Sequence, residues 1–390
     1  MPLTELSFLG LVATALITAL LISFVATPVV KSLAQKVGAV DVPKDGRRMH
    51  DHPIPRMGGL AIFLGFTLAV LVFADLTRQL QGMLLGAVII VVLGIFDDIY
   101  ALSAKLKFVV QIAAACVAVF SGNRIEVLSN PNIFSENPYW TLGSLAVPLS
   151  VIWIVAITNA VNLIDGLDGL AVGVATISSL TMLVIAMLVS ENVVALMMAA
   201  LAGGCIGFMP YNLNPAKIFM GDTGSTFLGF VLATVSIQGL FKFYTIISFA
   251  VPFLMLGLPL FDTCFAILRR LAKGQSPMAP DRSHVHHRLI DMGFNQKQAV
   301  AILYVISAIL GLSAVVLTTS GALKAMVLLC ALCLAGLISG KIFLSHNENH
   351  QEKTKEKESN DHAIESHDDL RDPPGGGEDG PSGKGTGEQS

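Results

Sequence analysis

Apolar segments that are long enough to cross a lipid bilayer recur along almost the whole chain. Only 14% of the 390 residues are charged and 53% are hydrophobic, whereas a soluble domain carries about 25% charged residues. A helix that spans a bilayer needs roughly 20 apolar residues. The sequence therefore predicts an all-α polytopic membrane protein. Eleven spans are predicted, at residues 5–28, 57–76, 82–97, 106–121, 144–161, 169–189, 193–209, 223–240, 246–268, 299–318 and 322–344.

The positions of lysine and arginine between the spans predict the orientation of the chain, because cytoplasmic loops are enriched in these residues. The loops on the side of residues 29–56 hold most of them. The other side holds only Arg78, Arg124, Lys242 and Lys324. We therefore expect an outside N-terminus, a cytoplasmic C-terminus, and a membrane domain at 1–345 followed by a disordered, charged and glycine-rich cytoplasmic tail at 346–390. The net charge of −3 gives no indication of a nucleic acid partner.

The polar motifs fall on one face of the membrane. All of them lie at the cytoplasmic ends of predicted spans or in cytoplasmic loops, and the outer loops carry no comparable cluster. Because the spans follow from hydropathy alone, this convergence is independent evidence for a site. The motifs are DVPKDGRRMHDHPIPRMGG at 41–59, GIFDDIY at 94–100, NAVNLIDGLDGL at 159–170, YNLNPAKIFMGDTGS at 211–225 and DRSHVHHRL at 281–289.

Asp97 and Asp98 are adjacent carboxylates at the end of an apolar span. Ionisable groups at membrane depth are costly and usually functional, although a solvated helix end would also explain them. Adjacent carboxylates repel each other, and a divalent cation would relieve the repulsion. Oxygen ligands without nearby thiols favour Mg²⁺ or Mn²⁺ over zinc. Asp222, at the start of another span, can either hold a metal or cap its helix.

Asn159, Asn162, Asp165 and Asp168 recur at every third residue. Three residues turn an α-helix by about 300°, so the first three side chains stay within about 120° of one another. The two glycines of DGLDG predict a bend after Asp165, with Asp168 as the N-cap of the next helix. The stretch therefore predicts a helix end and a turn whose backbone can approach a ligand. A purely capping role is the alternative.

The MGDTGS and histidine motifs supply groups that can bind anions. A helix that starts with small residues presents free N–H groups to phosphate oxygens. His284, His286 and His287 form a basic patch with Arg282 and Arg288. The patch could hold a transition metal, but the lack of nearby cysteines favours anion binding. Together with the carboxylates, these groups predict phosphoryl transfer to an acceptor embedded in the membrane.

As an ordered set, the motifs PRMGG, FDD, NxxNxxDGxDGL, NxxPAxxFMGDTGS and HxHH resemble those of the polyprenyl-phosphate N-acetylhexosamine-1-phosphate transferases, a superfamily that includes the MraY translocase. The resemblance extends from about Asp41 to Leu289. It implies an eleven-span fold in the bacterial plasma membrane with an active site that faces the cytoplasm. It also implies Mg²⁺ dependence and a UDP-sugar donor that reacts with undecaprenyl phosphate and releases UMP. The oligomeric state, including a homodimer, is left open.

The resemblance also implies roles for individual residues. Asp97 and Asp98 match the catalytic pair, one of which would deprotonate the lipid phosphate. Asp222 matches a metal ligand of the family, and Asp97 is expected to hold the metal with it. Phe219 stands in the place of an aromatic ring that stacks on uracil. The full set of expected substrate-binding residues is Asn159, Asn162, Asp165, Gly166, Leu167, Asp168, Asn212, Phe219, Arg56, Arg282, His284, His286 and His287.

Two departures from the translocase pattern indicate a branch of the superfamily. The branch that uses UDP-MurNAc-pentapeptide carries PTMGG and three consecutive histidines, whereas this chain has Arg56 in PRMGG and a valine at position 285. Both features resemble the branch that uses UDP-GlcNAc, represented by WecA and TagO. The expected reaction is transfer of GlcNAc-1-phosphate from UDP-GlcNAc to undecaprenyl phosphate, the first step of a cell-envelope polymer such as teichoic acid. The translocase reaction, a membrane transporter and an inactive scaffold are the alternatives.

Overall fold

The computed structural model describes residues 3–42, 52–129, 139–239, 247–274, 284–320 and 324. Arg282, all but one residue of the predicted span 322–344, and the tail 346–390 lie outside the described residues. The helices are α1 (Leu3–Val37), α2 (Gly59–Phe73), α3 (Arg78–Tyr100), α4 (Ala104–Phe120), α5 (Ala146–Leu163), α6 (Leu170–Leu188), α7 (Asn192–Asn212), α8 (Gly221–Gly239), α9 (Ile247–Met255), α10 (Gly257–Ala272), α11 (Val285–Asp291) and α12 (Gln296–Ser320).

Six of the described helices are long and apolar enough to cross a membrane, namely α1, α3, α5, α6, α7 and α12. Helix α2 is apolar but shorter. Each of the first ten predicted spans overlaps at least one described helix. The prediction of an all-α polytopic membrane protein is thus confirmed. The number of eleven spans and their orientation stay predictions.

Helix α3 is longer than the predicted span 82–97. The Thr77 side chain accepts a hydrogen bond from the Leu80 N–H at 3.2 Å and caps the helix start. The helix ends where Ala101 adopts a left-handed conformation, with φ of 51°, and its N–H donates to the carbonyl of Asp97. Asp97 and its neighbour therefore lie in the last turn of α3.

The ninth predicted span, 246–268, is not one continuous helix, and its crossing of the membrane stays a prediction. Helix α9 ends at Met255, and α10 starts two residues later. Pro259 has no N–H to donate to the Met255 carbonyl four residues before it, so the helical ladder is interrupted here. The Ser178 hydroxyl of α6 donates to that carbonyl instead, at 2.9 Å.

Helix α8 lies at the centre of the helical core, packed against α2, α3 and α5. Its Phe227 and Phe230 side chains are fully buried. Glycines on the neighbouring helices let the backbones approach. A Cβ atom at Gly94 of α3 would lie 2.4 Å from Thr223 Cα, and one at Gly59 of α2 would lie 1.9 Å from the Cα of Gly224. The N-terminus of α8 is therefore fixed closely against two other helices.

Two short antiparallel pairs complete the described structure. Strand β1 (Val40–Asp41) pairs with β2 (Ile54–Pro55), and β3 (Val127–Ser129) pairs with β4 (Tyr139–Thr141). The Phe219 N–H donates to the carbonyl of Pro55 at 2.8 Å, which attaches the PRMGG segment to the segment before α8. This attachment brings the end of the chain's first predicted cytoplasmic loop to the polar residues around the start of α8.

Candidate active site

Asp98 caps a helix to which it does not belong. One of its carboxylate oxygens accepts from the Asp222 N–H at 2.9 Å, and the other accepts from the N–H and the hydroxyl of Thr223, at 3.1 and 2.7 Å. Its side chain is fully buried, and Arg56 Nε lies 3.6 Å from it. The free N–H groups at a helix start favour such an anion. Asp98 thereby fixes α8 to the end of α3.

Because Asp98 supplies the cap, Asp222 is free for other contacts. Asp222 lies in the first turn of α8. One of its oxygens accepts from Lys107 Nζ at 2.8 Å, and the other accepts from Asn162 Nδ2 at 3.2 Å. The alternative that the Asp222 side chain caps its own helix is therefore wrong.

Lys107 of α4 joins two of the predicted site residues. Its Nζ donates to Asp97 at 2.9 Å and to Asp222 at 2.8 Å. The other oxygen of Asp97 accepts from the Leu102 N–H at 2.7 Å. The sequence does contain a signal for Lys107: it lies in the first turn of α4, where the helix dipole disfavours a positive charge. An unfavourable position of this kind indicates a compensating anionic partner.

Asn162 and Asn159 have different surroundings although both lie on the last two turns of α5. Asn162 Nδ2 also donates to the hydroxyl of Ser225, at 2.8 Å, so that Asn162 orients the start of α8. Asn159 Nδ2 donates to Gln111 Oε1 at 2.7 Å, and Asn159 is not among the residues that line the cavity described below. The structure thus places Asn162 in the site and Asn159 one helical turn behind it.

The bend between α5 and α6 differs in one respect from its prediction. Helix α6 begins at Leu170, and the residue at its N-cap is Gly169, with φ of 80°. Asp168 is not the N-cap. It instead accepts from Asn214 Nδ2 at 2.9 Å and from the Ala216 N–H at 3.0 Å. Asp168 therefore ties the bend to the segment before α8, a contact that no local sequence pattern reveals.

These segments enclose a cavity of about 270 Å³. Most of the predicted substrate-binding residues line it, together with three that the sequence analysis did not select: Asp41, Gly221 and Gln296. The lining consists of Asp41, Arg56, Asn162, Asp165, Gly166, Leu167, Asp168, Asn212, Phe219, Gly221, Asp222, His287 and Gln296.

The three histidines do not act as one patch. His287 lines the cavity, whereas His284 and His286 are buried, with 6% and 3% of their surface exposed. The pKa of His286 is lowered to about 4, because burial disfavours the charged imidazolium and because His287 lies beside it. His286 is therefore neutral at pH 7. Arg282, the fourth member of the predicted patch, lies outside the described residues.

The cavity concentrates negative charge around one arginine. The pKa of Asp165 is raised to about 7, first by burial and then by the charge of Asp222. Burial opposes the charge on Arg56, but attraction by Asp98 and Asp222 outweighs this effect and raises its pKa. An added cation would lower the electrostatic repulsion between the carboxylates of such a site.

The carboxylates fit a hard cation that is held partly by a substrate. Lys107 Nζ already places a positive charge within hydrogen-bonding distance of Asp97 and Asp222. Among the described residues, no three acidic, histidine or cysteine side chains converge as a complete metal site. Mg²⁺ is commonly held by one or two carboxylates, with water and phosphate oxygens as the other ligands. The pair Asp97 and Asp222 is suited to that kind of binding.

The amino-acid sequence is similar to those of known glycosyl transferases. The family model described as glycosyl transferase family 4 matches residues 80–240. The chain is 44% identical over 310 residues to a probable undecaprenyl-phosphate N-acetylglucosaminyl 1-phosphate transferase of Bacillus subtilis, with 79% of this chain and 86% of that protein covered. It is 35% identical over 336 residues to a decaprenyl-phosphate N-acetylglucosaminephosphotransferase of Mycolicibacterium smegmatis, with 78% and 80% covered.

A more distant relative covers slightly more of the chain. The undecaprenyl-phosphate alpha-N-acetylglucosaminyl 1-phosphate transferase of Escherichia coli O157:H7 is 29% identical over 335 residues, which are 84% of this chain and 90% of that protein. The matched family region includes Asp97, Lys107, Asn162 and Asp222. The residues that form the polar centre of the site therefore lie inside the part of the chain by which the family is defined.

Proposed function

This chain belongs to the polyprenyl-phosphate hexosamine-1-phosphate transferases of glycosyl transferase family 4, and we propose that it transfers GlcNAc-1-phosphate from UDP-GlcNAc to undecaprenyl phosphate. The products would be undecaprenyl-diphospho-GlcNAc and UMP. Membership of this family makes the chain a membrane phosphotransferase, in preference to a transporter or an inactive scaffold. The identity of the sugar nucleotide and of the lipid acceptor is part of the proposal.

One observation carries the proposal. The Lys107 ammonium lies between Asp97 and Asp222, and Asp222 also lines the cavity. A cationic group held by two carboxylates beside a polar cavity is suited to phosphate groups that enter from two directions, one from the donor and one from the acceptor. Such a cluster at the end of an apolar helix also suits an acceptor whose tail lies in the membrane.

We assign the donor to the cavity. Phe219 would stack on the uracil ring, and the bend at 165–168 would hold the nucleotide. Arg56 would pair with the diphosphate, because a guanidinium can donate two parallel hydrogen bonds to phosphate oxygens. Asp98 and Asn162 would act indirectly, since their described contacts fix and orient the start of α8.

Asp97 and Asp222 would hold Mg²⁺ together with phosphate oxygens of the donor. The ion would neutralise the negative charge that develops on the diphosphate. Mn²⁺ has the same ligand preference and could replace it. Lys107 would contribute a fixed positive charge at the same place. Its two hydrogen bonds to carboxylates keep the ammonium oriented before any substrate arrives.

The reaction joins the lipid phosphate to the sugar phosphate. A non-bridging oxygen of undecaprenyl phosphate attacks the β-phosphorus of UDP-GlcNAc, the bond from that phosphorus to the bridging oxygen breaks, and UMP departs with the electron pair. A phosphate monoester has its second pKa near 6 and is mostly a dianion at pH 7. Removal of its last proton therefore contributes little, and the chain's main contribution is positioning and charge neutralisation. If a base is used, Asp97 is better placed than Asp98, because the Asp98 side chain is fully buried and both its oxygens accept from α8, whereas 9% of the Asp97 side chain is exposed.

We further propose that the protein lies in the bacterial plasma membrane with the cavity facing the cytoplasm, where nucleotide sugars are available. The excess of lysine and arginine in the loops on that side supports this orientation. The product would be the lipid-linked first sugar of a cell-envelope polymer, with teichoic acid as one candidate.

The proposal is tested by donor competition in one preparation of purified protein. Undecaprenyl phosphate, Mg²⁺ and equal concentrations of UDP-GlcNAc and UDP-MurNAc-pentapeptide are supplied, and the lipid products are separated and quantified. We expect the GlcNAc product alone, with no UMP release when the lipid is omitted. Comparable products from both donors, or the pentapeptide product alone, would move the chain to the translocase branch.

A further inference from the structure

Asp262 is a buried carboxylate on α10 that lies outside the cavity. Only 4% of its surface is exposed, although its helix presents Phe261 and Phe265 to the surroundings with 54% and 62% exposed. Asp262 is not among the residues that line the cavity. Its described hydrogen bonds do not go to the carboxylate cluster or to Lys107. A buried carboxylate is costly unless it has specific partners, so its partners indicate its role.

Both oxygens of Asp262 bind consecutive residues at the start of α11. One lies 2.9 Å from His284 Nδ1, and the other accepts from the Val285 N–H at 2.8 Å. His284 is the N-cap residue of α11, but its own side chain makes no capping hydrogen bond. The gap between Asp262, His286 and the apolar groups around them is about 10 Å³, so the contact is tightly packed. Asp262 thus fixes the start of α11 to α10.

The start of α11 is connected in turn to the donor cavity. The His284 ring stacks on the His286 ring, with centroids 5.8 Å apart and planes inclined by 11°. The His286 ring packs on Gly166 so closely that a Cβ atom there would lie 2.3 Å from Nε2. The centroid of His287 lies 4.3 Å from that of His286, and His287 lines the cavity. A movement of His284 would therefore be transmitted both to the bend at Gly166 and to His287.

We propose that Asp262 is a positioning residue for the donor, which holds the histidine segment so that His287 and the bend at Gly166 form one wall of the cavity. This inference rests on the proposed function, since it assigns the cavity to the sugar nucleotide. The lipid acceptor approaches the cluster of Asp97, Lys107 and Asp222 and does not depend on this wall. Loss of Asp262 should therefore affect the two substrates differently.

The first test compares the KM values of the two substrates. Asp262→Ala should raise the KM for UDP-GlcNAc by about tenfold or more and change the KM for undecaprenyl phosphate less than twofold. Asp262→Asn keeps an oxygen that can accept from the Val285 N–H, so its donor KM should lie between those of the wild type and Asp262→Ala. The matched control is Asp291→Ala, which removes an exposed carboxylate from the other end of α11 and should leave both KM values unchanged. An equal rise in both KM values for Asp262→Ala would contradict the positioning role.

The second test asks whether Asp262 acts through His287. His287→Ala should raise the donor KM on its own, and in the Asp262→Ala background it should add less than a further twofold. Multiplicative effects in the double variant would overturn the proposal, because independent contributions multiply. If the wild type releases no UMP from UDP-GlcNAc but does so from another nucleotide sugar, the proposed donor is wrong. The same comparison made with the accepted donor would then still test Asp262.

Discussion

Replacement of Lys107 by methionine is the sharpest perturbation of the candidate site. The change keeps most of the side-chain length and removes the ammonium that donates to Asp97 and Asp222 at 2.9 and 2.8 Å. A hydrogen bond that involves a charged group contributes about 1.5–3 kcal/mol. Since 27% of the Lys107 side chain is exposed, solvent screening places each bond at the low end of that range. Two bonds then contribute roughly 3 kcal/mol to holding the ammonium in place before substrate binds, and the loss of one preoriented charged donor of this kind lowers kcat by about a hundredfold.

We therefore expect Lys107→Met to lower kcat about a hundredfold at saturating Mg²⁺, measured as UMP release from both saturated substrates. The matched control is Lys105→Met, which removes an exposed lysine from the same turn of α4 and should retain full activity. Thermal unfolding of both variants in detergent separates a loss of chemistry from a loss of fold. If Lys107→Met turned over at the wild-type rate, the ammonium would be only a substitute for the metal ion, and our account of its role would be refuted.

Three further predictions concern other parts of the site. Asp222→Asn should lower UMP release at least about a hundredfold while the protein still elutes as a folded species on gel filtration. Asp98→Asn should lower UMP release and also lower the Tm, because it weakens the cap of α8. An unchanged Tm for Asp98→Asn would contradict the capping role. Gly166→Ala should raise the donor KM about tenfold because the new Cβ would meet His286, and Gly10→Ala, which has open space around it, should be neutral. The pKa of Asp165 in the folded protein is raised to about 7, whereas an aspartate in the unfolded chain has a pKa of 3.8. Without a metal ion, in EDTA, the folded protein therefore binds this proton more tightly than the unfolded chain does. The wild type should lose stability relative to Asp165→Asn as the pH rises from 4 to 7. A pH-independent difference in Tm between those two proteins would show that the pKa of Asp165 is not raised.

The sequence predicted several of the segments that meet at the cavity, although it did not select Lys107 of α4 or Gln296 of α12. Asn162, Asp165 and Asp222 are more than 50 residues apart at their extremes, yet the structure brings them to one cavity. The reason is physical: apolar spans of similar length place their ends at two levels only, so polar motifs at span ends of one side must lie in one layer. Predictions of this kind depend on hydropathy and on the number of spans between motifs.

The rotation of each helix about its axis was not predictable in the same way. Lys107 reaches Asp222 because α4 packs against α3 and α3 packs against α8. Asp98 caps α8 because Gly94 lets the backbones of α3 and α8 approach. Local patterns favoured Asp222 and Asp168 as caps of their own helices, but tertiary contacts supplied other partners for both. The break before α10 did have a local signal, since Pro259 removes the N–H that a continuous helix requires at that position.

The central claim is that this site transfers a sugar phosphate and leaves UMP behind. The most direct measurement uses UDP-GlcNAc labelled with ³²P at either the α or the β phosphorus, incubated with purified protein, Mg²⁺ and undecaprenyl phosphate, followed by separation of the lipid from the aqueous phase. We predict that the β label enters the lipid phase with the sugar and that the α label stays in the aqueous phase as UMP. Recovery of both labels in the aqueous phase as UDP, with the sugar alone in the lipid, would mean glycosyl transfer and would contradict the assignment of the site.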